Sequence, residues 1–325
     1  MRVAVTGATG FIGGNLCKHL VASGHDVVAM VRSPENAERI VSLGAEPRTG
    51  DITDTASLGN AFQGVDAVIN LAALFNHPDK TREEYERVNV QGVKNVLECA
   101  MRSGASRVLH CSTVGIAIDG KPPYSEATPY SPPAWDKYET TKCEGEKAAI
   151  GFYKEHGFPV VAIRPAQVYG PGDVSKLKFY RMVKKGVIVN PGRTLKHLIY
   201  IDDLCRAFEL ALTNEEAPGN PIIIAGREVT PLRELVNIVA GELGVPAPKV
   251  ALPALPVTLA AAVIEKVFQV ANKKPPVFRR SMDFFTKSVE FTTDRARDIL
   301  GFESSIDVKT GVHRTADWYQ ENGYL

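Results

Sequence analysis

Tyr138 and Lys142, in the run Tyr138-Glu139-Thr140-Thr141-Lys142, can do proton chemistry together if that segment is helical. A spacing of four places both side chains on one helix face. A phenol with a free pKa of about 10 is a poor base near neutrality. An ammonium within a few ångströms stabilises the phenolate and lowers that value, so the pair can exchange a proton with a substrate hydroxyl or carbonyl. Spacing alone is weak evidence, because about one such pair is expected by chance in a chain of this size. A second pair does occur, at Tyr180 and Lys184, within a basic stretch (Lys176, Lys178, Arg181, Lys184, Lys185) that reads as a solvated helix face. Tyr138 instead opens the helix that follows a strand ending Cys111-Ser112-Thr113. Tyr138 and Lys142 are therefore the candidate catalytic pair.

A second constellation sits at the N-terminus. Arg2-Val3-Ala4-Val5-Thr6 reads as a buried strand, and Gly7-Ala8-Thr9-Gly10-Phe11-Ile12-Gly13 follows as a glycine turn. An amphipathic helix comes next, with Leu16, Leu20 and Val21 on one face. Strand, glycine turn and helix together present free backbone N–H groups and the positive end of a helix dipole to a pyrophosphate. Gly7 allows the tight turn, Gly10 the approach of phosphate to backbone, and Gly13 the packing of helix on strand. Thr9, Phe11 and Ile12 complete the cofactor-facing turn. With a dinucleotide held there, Tyr138 would trade its proton while hydride moves to or from a nicotinamide, and Lys142 could also hold the nicotinamide ribose.

The end of the second strand selects between dinucleotides. An acidic residue there would accept from ribose hydroxyls and repel a 2′-phosphate; this chain has Val31, then Arg32, with Arg39 seven residues on. Guanidinium groups pair with phosphate, so NADP(H) is favoured over NAD(H), the alternative being that both arginines are simply solvated. Asp51 is a candidate partner for the adenine amino group, or else a plain turn cap.

Short β-branched runs at Asp26 to Val31, Asp66 to Leu71, Arg107 to Cys111 and Pro159 to Ile163 alternate with helical patterns. That alternation predicts an α/β fold, a doubly wound parallel (Rossmann) sheet with helices on both faces. Thr81-Arg82-Glu83-Glu84 is a capping-box start. It opens a long helix with Tyr85, Val88, Val96, Leu97, Ala100 and Met101 inward, stopped near Gly104. Another helix is expected from about Asp136 to His156. The predicted dinucleotide-binding domain spans 1–170, with 195–213 returning to it. Residues 171–194 and 214–325 form a smaller, partly discontinuous C-terminal substrate lobe, expected to cover the carboxyl edge of the sheet.

With 325 residues the chain can bury a large core, and 38 basic against 37 acidic residues give no reason to expect nucleic acid. Cys17, Cys99, Cys111, Cys143 and Cys205 lack metal spacing and read as reduced thiols of a cytoplasmic protein. No histidine pair has metal spacing either, and no metal site is expected. No signal peptide or transmembrane segment is legible.

The residues as a set resemble the extended short-chain dehydrogenase/reductases, the NAD-dependent epimerase/dehydratase family. The matching positions are Gly7/Gly10/Gly13, Asp51-Ile52, Asn70-Leu71-Ala72-Ala73, Asn89-Val90-Gln91-Gly92, Ser112-Thr113, Tyr138/Lys142, Arg164-Pro165 through Asp173, and Tyr200-Ile201-Asp202-Asp203. They span nearly all of the first 205 residues. The resemblance implies a third catalytic hydroxyl 25 residues before the tyrosine, which selects Thr113 over Ser112. It also puts Asp51, Ile52, Leu71, Ala72 and Ala73 around the cofactor, Pro165 and Val168 beside the nicotinamide, and Asn89 as a tie between loops.

Departures from the family pattern narrow the activity. The 4,6-dehydratases carry Asp-Glu after the threonine, where this chain has Val114-Gly115. Sugar-nucleotide epimerases tend to have asparagine at Gln167 and Arg-Asp at Lys196-His197, and the arginine expected on a diphosphate is absent, Arg279-Arg280-Ser281-Met282-Asp283 being the nearest basic spot. His197 aligns with a pocket-lining position. The C-terminal stretch is instead apolar, from Leu252 through Leu259, Val263, Ile264, Val267 and Phe268 to Phe278, Phe284 and Phe285. That is similar to the 3β-hydroxysteroid dehydrogenase and dihydroflavonol reductase branch. The expectation is an NADP(H)-dependent oxidoreductase interconverting a secondary alcohol and a ketone on a mainly apolar substrate, and a homodimer is plausible. The alternatives are a sugar-nucleotide epimerase with tightly bound NAD and a non-catalytic dinucleotide-binding sensor. The 252–271 stretch reads equally as pocket lining, subunit contact or membrane-surface contact.

Overall fold

The computed structural model describes the chain apart from residues 119, 190, 191, 193 and 271–278, and apart from the side chains of 266, 269, 270 and 279–281. Seven strands form one parallel sheet: β1 (Arg2–Thr6), β2 (Asp26–Val31), β3 (Glu46–Thr49), β4 (Ala67–Asn70), β5 (Arg107–Cys111), β6 (Val160–Pro165) and β7 (Pro221–Ile224). Their order is β7-β6-β5-β4-β1-β2-β3, with parallel pairing throughout. The central strands are Val/Ile/Ala runs buried on both faces, as a sheet covered by helices on each side requires. One core cluster lies against Leu16, Leu20 and Leu204 of the helices Phe11–Ala22 (α1) and Ile201–Thr213, the other against Val93, Val96 and Leu97 of Gly92–Arg102.

The expected lobe boundary needs a correction. Residues 221–224, read as part of the lobe, are the edge strand of the large sheet, beside β6. The run is only Pro-Ile-Ile-Ile after a Pro-Gly turn, too short to separate from a loop by pattern, yet it completes the sheet. Its outward N–H at Ile223 is taken by Glu126 Oε1 at 2.9 Å, so the edge offers less to a foreign strand. The rest of the C-terminal half carries two small sheets, Gln167–Tyr169 with Leu195–Tyr200 and Val229–Pro231, and Val187–Val189 with Val250–Leu252.

The helix predicted from Thr81 is broken in the middle. Its capping box is present: Thr81 Oγ1 accepts from Glu84 N, and the Glu84 carboxylate accepts from Thr81 N. After Arg82–Glu86 the segment Arg87–Gln91 winds as a π-helical turn before Gly92–Arg102 resumes as α-helix. The extra residue in that turn rotates the helix beyond it. Val96, Leu97 and Ala100 face inward, while Met101, expected inside, is exposed.

Asp203 fastens the C-terminal segment to the sheet body. Its carboxylate accepts from the hydroxyls of Ser304 and Ser305 at 2.7 and 2.8 Å, and from the main-chain N–H groups of Ser305 and Ile306 at 3.0 Å each. Burial pushes this carboxyl upward, but the donors outweigh it and hold it below the usual range. A carboxyl depressed in the fold contributes stability that is complete above its unfolded pKa, about 3.9, and is lost as pH falls through the folded value. Asp203→Asn should therefore lower stability at neutral pH by about 1–3 kcal/mol in urea titrations. The gap from the parent chain should close below about pH 4.

Candidate active site

Parallel register gathers the site. Thr6 pairs with Asn70, Asn70 with His110, and Cys111 with Ile163, so Gly7, Leu71, Ser112-Thr113 and Pro165 all leave the sheet along one edge. Thr6 Oγ1 staples two of these exits, donating to Asn70 Oδ1 at 2.6 Å and accepting from Ala72 N at 3.2 Å.

The glycine turn is built for close approach. Gly7 has φ +67°, and a Cβ there would lie 2.9 Å from Leu71 C and Ala72 N. A Cβ on Gly13 would sit 2.2 Å from Gly7 O. Gly10 caps α1 with no side chain over the helix end, and the first turn of α1 carries no acidic residue. The N–H groups and positive dipole there are left for an anion, which fits a pyrophosphate. Gly13→Ala should cost about 1–3 kcal/mol of overpacking, borne by the turn. Calorimetric titration should then show dinucleotide affinity falling by roughly tenfold or more.

Thr9, Phe11 and Ile12 flank this turn. The Arg39 guanidinium reaches back over it, Nη1 donating to Thr9 O at 3.2 Å, while Arg32 is exposed just beyond β2. Asp51 is half-buried and already serves as a cap, its Oδ1 accepting from Thr53 N and Oγ1 at 2.8 Å each. Ile52 turns its side chain into the core against Gly92, and its carbonyl accepts from Asn95 Nδ2 at 2.9 Å. Leu71 and Ala72 are half-buried and Ala73 is exposed along the edge. Pro165 ends β6, and Val168 is half-buried in the short strand after it.

Tyr138, Lys142 and Thr113 come from two elements that are bonded together. The helix Lys137–His156 (α2) starts at Asp136, whose Oδ1 accepts from Tyr138 N at 2.9 Å and Glu139 N at 3.1 Å. One turn on, buried Lys142 donates from Nζ to Cys111 O at 2.5 Å. Cys111 ends β5, two residues before Thr113, so the lysine pins the tyrosine's helix to the threonine's strand. Thr113 Oγ1 caps the following 3-10 turn, accepting from Gly115 N at 3.3 Å. Burial draws the Lys142 ammonium below its ordinary pKa, opposed by Cys111 and by the Glu146 and Glu139 carboxylates. The Tyr138 ring stays half-buried, edge-on to Phe75 with centroids 4.9 Å apart.

Three supports were not read from the sequence or were read only in outline. Asn89, in the π-helical turn, accepts from Leu74 N at 2.7 Å and donates to Leu74 O and Thr141 Oγ1 at 3.1 Å each. It ties the loop after β4 to α2, as the resemblance implied. Phe75 had no signal beyond being a lone aromatic after an apolar run. Beneath the site, Arg164 of β6 and Glu146 of α2 form an ion pair buried from water. Arg164 Nε lies 3.1 and 3.0 Å from the two carboxylate oxygens, and Nη2 lies 2.5 Å from Oε1. Tyr130 donates to the same carboxylate at 2.8 Å and covers the guanidinium with its ring. A charged residue inside a buried strand, and a glutamate four past a candidate lysine, were the available signals.

Other expected positions fall elsewhere. Tyr180 lies on the buried face of its helix against Tyr319, with Lys178, Lys184 and Lys185 outward. His197 is a core tie: its Nε2 meets Gly226 O at 2.5 Å and its Nδ1 accepts from Phe291 N at 3.1 Å. Burial lowers its pKa, and it does not line the edge. Lys196 is buried over the Phe284 ring, donating to Lys287 O at 2.6 Å, and burial lowers its pKa to about 8. Phe278 lies outside the described residues. Among the described residues no His/Cys/Asp/Glu cluster could hold a metal, and no helix is long and apolar enough to cross a membrane.

Known proteins match the chain along the same lines. The model of the NAD dependent epimerase/dehydratase family matches residues 3–226. The chain is 32% identical over 227 residues to a 4-hydroxy-2-methyl-3-oxo-4-farnesyl-3,4-dihydroquinoline-1-oxide ketoreductase of Stigmatella aurantiaca, covering 68% of this chain and 67% of that protein. It is 31% identical over 265 residues to a 3 beta-hydroxysteroid dehydrogenase/Delta 5-->4-isomerase of Mycobacterium tuberculosis, covering 77% and 71%. Among solved structures, UDP-glucuronic acid 4-epimerase from Bacillus cereus with NAD aligns over 100% of both chains at TM-score 0.79 and 23% identity, a likeness of fold.

Proposed function

This chain belongs to the NAD dependent epimerase/dehydratase family, and within it we propose an NADP(H)-dependent oxidoreductase that interconverts a secondary alcohol and a ketone on a mainly apolar small molecule. The observation that carries the reading is the bond from Lys142 Nζ to Cys111 O, which holds the helix of Tyr138 against the strand end of Thr113. When bound, the dinucleotide supplies the hydride donor or acceptor. The chain's own residues do the rest. The glycine turn and the α1 dipole hold the pyrophosphate. In reduction Tyr138 Oη gives its proton to the carbonyl oxygen as that oxygen becomes an alcohol, and takes it back in oxidation. Lys142 favours the phenolate left behind, and Thr113 Oγ1 donates a hydrogen bond to the same oxygen.

Two features support an apolar substrate. Lys196, where epimerases tend to have arginine, spends its ammonium on the Lys287 carbonyl. The ketoreductase and steroid dehydrogenase relatives are named for prenylated and polycyclic apolar substrates. Arg32, exposed just beyond β2, and Arg39, whose guanidinium reaches over the glycine turn, are the groups we read as partners of a 2′-phosphate, which supports NADP(H).

The test is spectrophotometric. NADPH and NADH oxidation are followed with a panel of hydrophobic ketones, and UDP-sugars are assayed in parallel for epimerised product. Consumption of NADPH with apolar ketones is expected. Arg32→Ser with Arg39→Ser should raise KM for NADPH roughly tenfold or more, as a charge-assisted phosphate contact requires, and leave that for NADH nearly unchanged. Epimerised sugar without net redox change would overturn the reading.

A further inference from the structure

One exposed aromatic ring stands against the phenol read as the acid/base. Phe75 is 48% exposed, and its ring meets the Tyr138 ring edge-on. A single apolar side chain at the surface needs no account by itself. Phe75 is set apart by how firmly its segment is held. The loop after β4 is bonded on both sides of the ring. Upstream, Asn89 takes both main-chain polar groups of Leu74, accepting from N at 2.7 Å and donating to O at 3.1 Å. Downstream, the Tyr85 hydroxyl takes both of His77, accepting from N at 3.0 Å and donating to O at 3.2 Å. Between these anchors Asn76 turns the chain with φ +60°, a region asparagine enters more readily than most residues. A third tie comes from the helix of the phenol itself: Lys137, next to Tyr138, donates from Nζ to the carbonyls of Pro78 and Lys80.

A loop fixed in this way presents its ring in one place. Binding groups carried on loops need such a scaffold, because ordering them at the moment of binding would cost affinity. The place also says what the ring can meet. On the oxidoreductase reading, the reacting oxygen of a ketone comes within hydrogen-bond reach of Tyr138 Oη. Phe75 packs on that same phenol ring, so the carbon skeleton attached to the oxygen passes beside Phe75. The phenyl ring has no hydrogen bond to offer, and it meets another ring in edge-to-face or offset-stacked geometry with more affinity than area alone supplies.

We propose that Phe75 selects the substrate's skeleton, as a wall against which a ketone bearing an aromatic ring lies while its oxygen meets Tyr138 and Thr113. The inference rests on the oxidoreductase reading and narrows it, from apolar small molecules at large to ones with an aromatic ring next to the reacting carbon.

NADPH oxidation by the full chain is measured with aryl and open-chain ketones of equal carbon count, acetophenone and octan-2-one being the first pair. The parent chain should favour the aryl ketone in kcat/KM. Phe75→Ala should reduce that preference roughly three- to tenfold, chiefly through KM for the aryl ketone. Phe75→Leu keeps apolar bulk without the ring and should lose the preference too, whereas Phe75→Tyr keeps the ring and should retain it. Melting temperature and dinucleotide affinity, read on each variant, should stay near the parent values because the ring is half-exposed. If the parent chain does not favour the aryl ketone, the inference falls while the oxidoreductase reading stands. It falls in the same way if Phe75→Ala slows both ketones alike and leaves the preference intact, since Phe75 would then only support Tyr138. If the parent chain reduces no ketone at all, the oxidoreductase reading falls and the inference with it.

Discussion

Tyr138→Phe should bind dinucleotide as the parent chain does and turn over roughly 10²–10⁴-fold more slowly. The substitution removes one oxygen and keeps the ring, so the edge-on packing against Phe75 at 4.9 Å remains. Lys142 still anchors to Cys111 O, and the geometry of α2 against β5 is untouched. What disappears is the group we propose as the proton donor for the carbonyl oxygen. The loss should therefore fall on kcat, with KM for the ketone little changed. Single-turnover measurements with saturating NADPH distinguish this from slow release. NADPH consumption at the parent rate in this variant would rule out the tyrosine mechanism while leaving the dinucleotide fold intact. Lys142→Met should lower the rate as well, and by a different route, since it removes the pin between helix and strand.

The second large effect is on stability. Glu146→Ala should destabilise the chain by about 3–5 kcal/mol, measured as a shift in the urea midpoint. The carboxylate accepts from Arg164 through Nε and Nη2 and from the Tyr130 hydroxyl, with almost no exposure to water. Removing it strands a guanidinium in the interior between α2 and β6, where desolvation is costly and nothing replaces the partner. Removing both charges is a different experiment. Glu146→Leu combined with Arg164→Met should recover most of the loss, because a well-packed apolar pair avoids the desolvation cost altogether. If the single and double variants are equally unstable, the pair is not the source of the effect. Activity provides a further readout, since Glu146 lies one helical turn beyond Lys142 and helps to oppose the fall of its pKa.

The glycine turn and the Tyr138/Lys142 pair were legible because each is a short-range pattern. Three glycines at fixed spacing after a Val/Ala strand, or two side chains four apart on a helix, announce their local geometry. Supports that join distant segments were not legible in the same way. Nothing near Glu146 names Arg164 as its partner, and nothing near Asn89 names Leu74 or Thr141. Those pairings arise from the packing of helix on strand, which a linear pattern does not encode. The π-helical turn at Arg87–Gln91 shows the limit from another side. Apolar periodicity announced one continuous helix with its face running through to Met101, and gave no sign of the inserted residue in its middle or of Met101 lying outside in the last turn. The strand Pro221–Ile224 was missed because four residues do not form a period. His197 is a core residue, as a lone histidine more often is, and the pocket-lining alternative fails because both ring nitrogens are already taken.

The lateness of the strand Pro221–Ile224 has a consequence for how the protein comes into being. β7 lies beside β6, yet it is made more than fifty residues later, and the helix Asp294–Leu300 that packs over it comes later still. A growing chain that has just released its glycine turn and its Tyr138 helix from the ribosome still shows β6 as a raw sheet border, open to any extended segment nearby. Strands of the large sheet and of the small sheets are interleaved along the chain, so a cut between residues 165 and 221 would leave the large sheet without its edge strand.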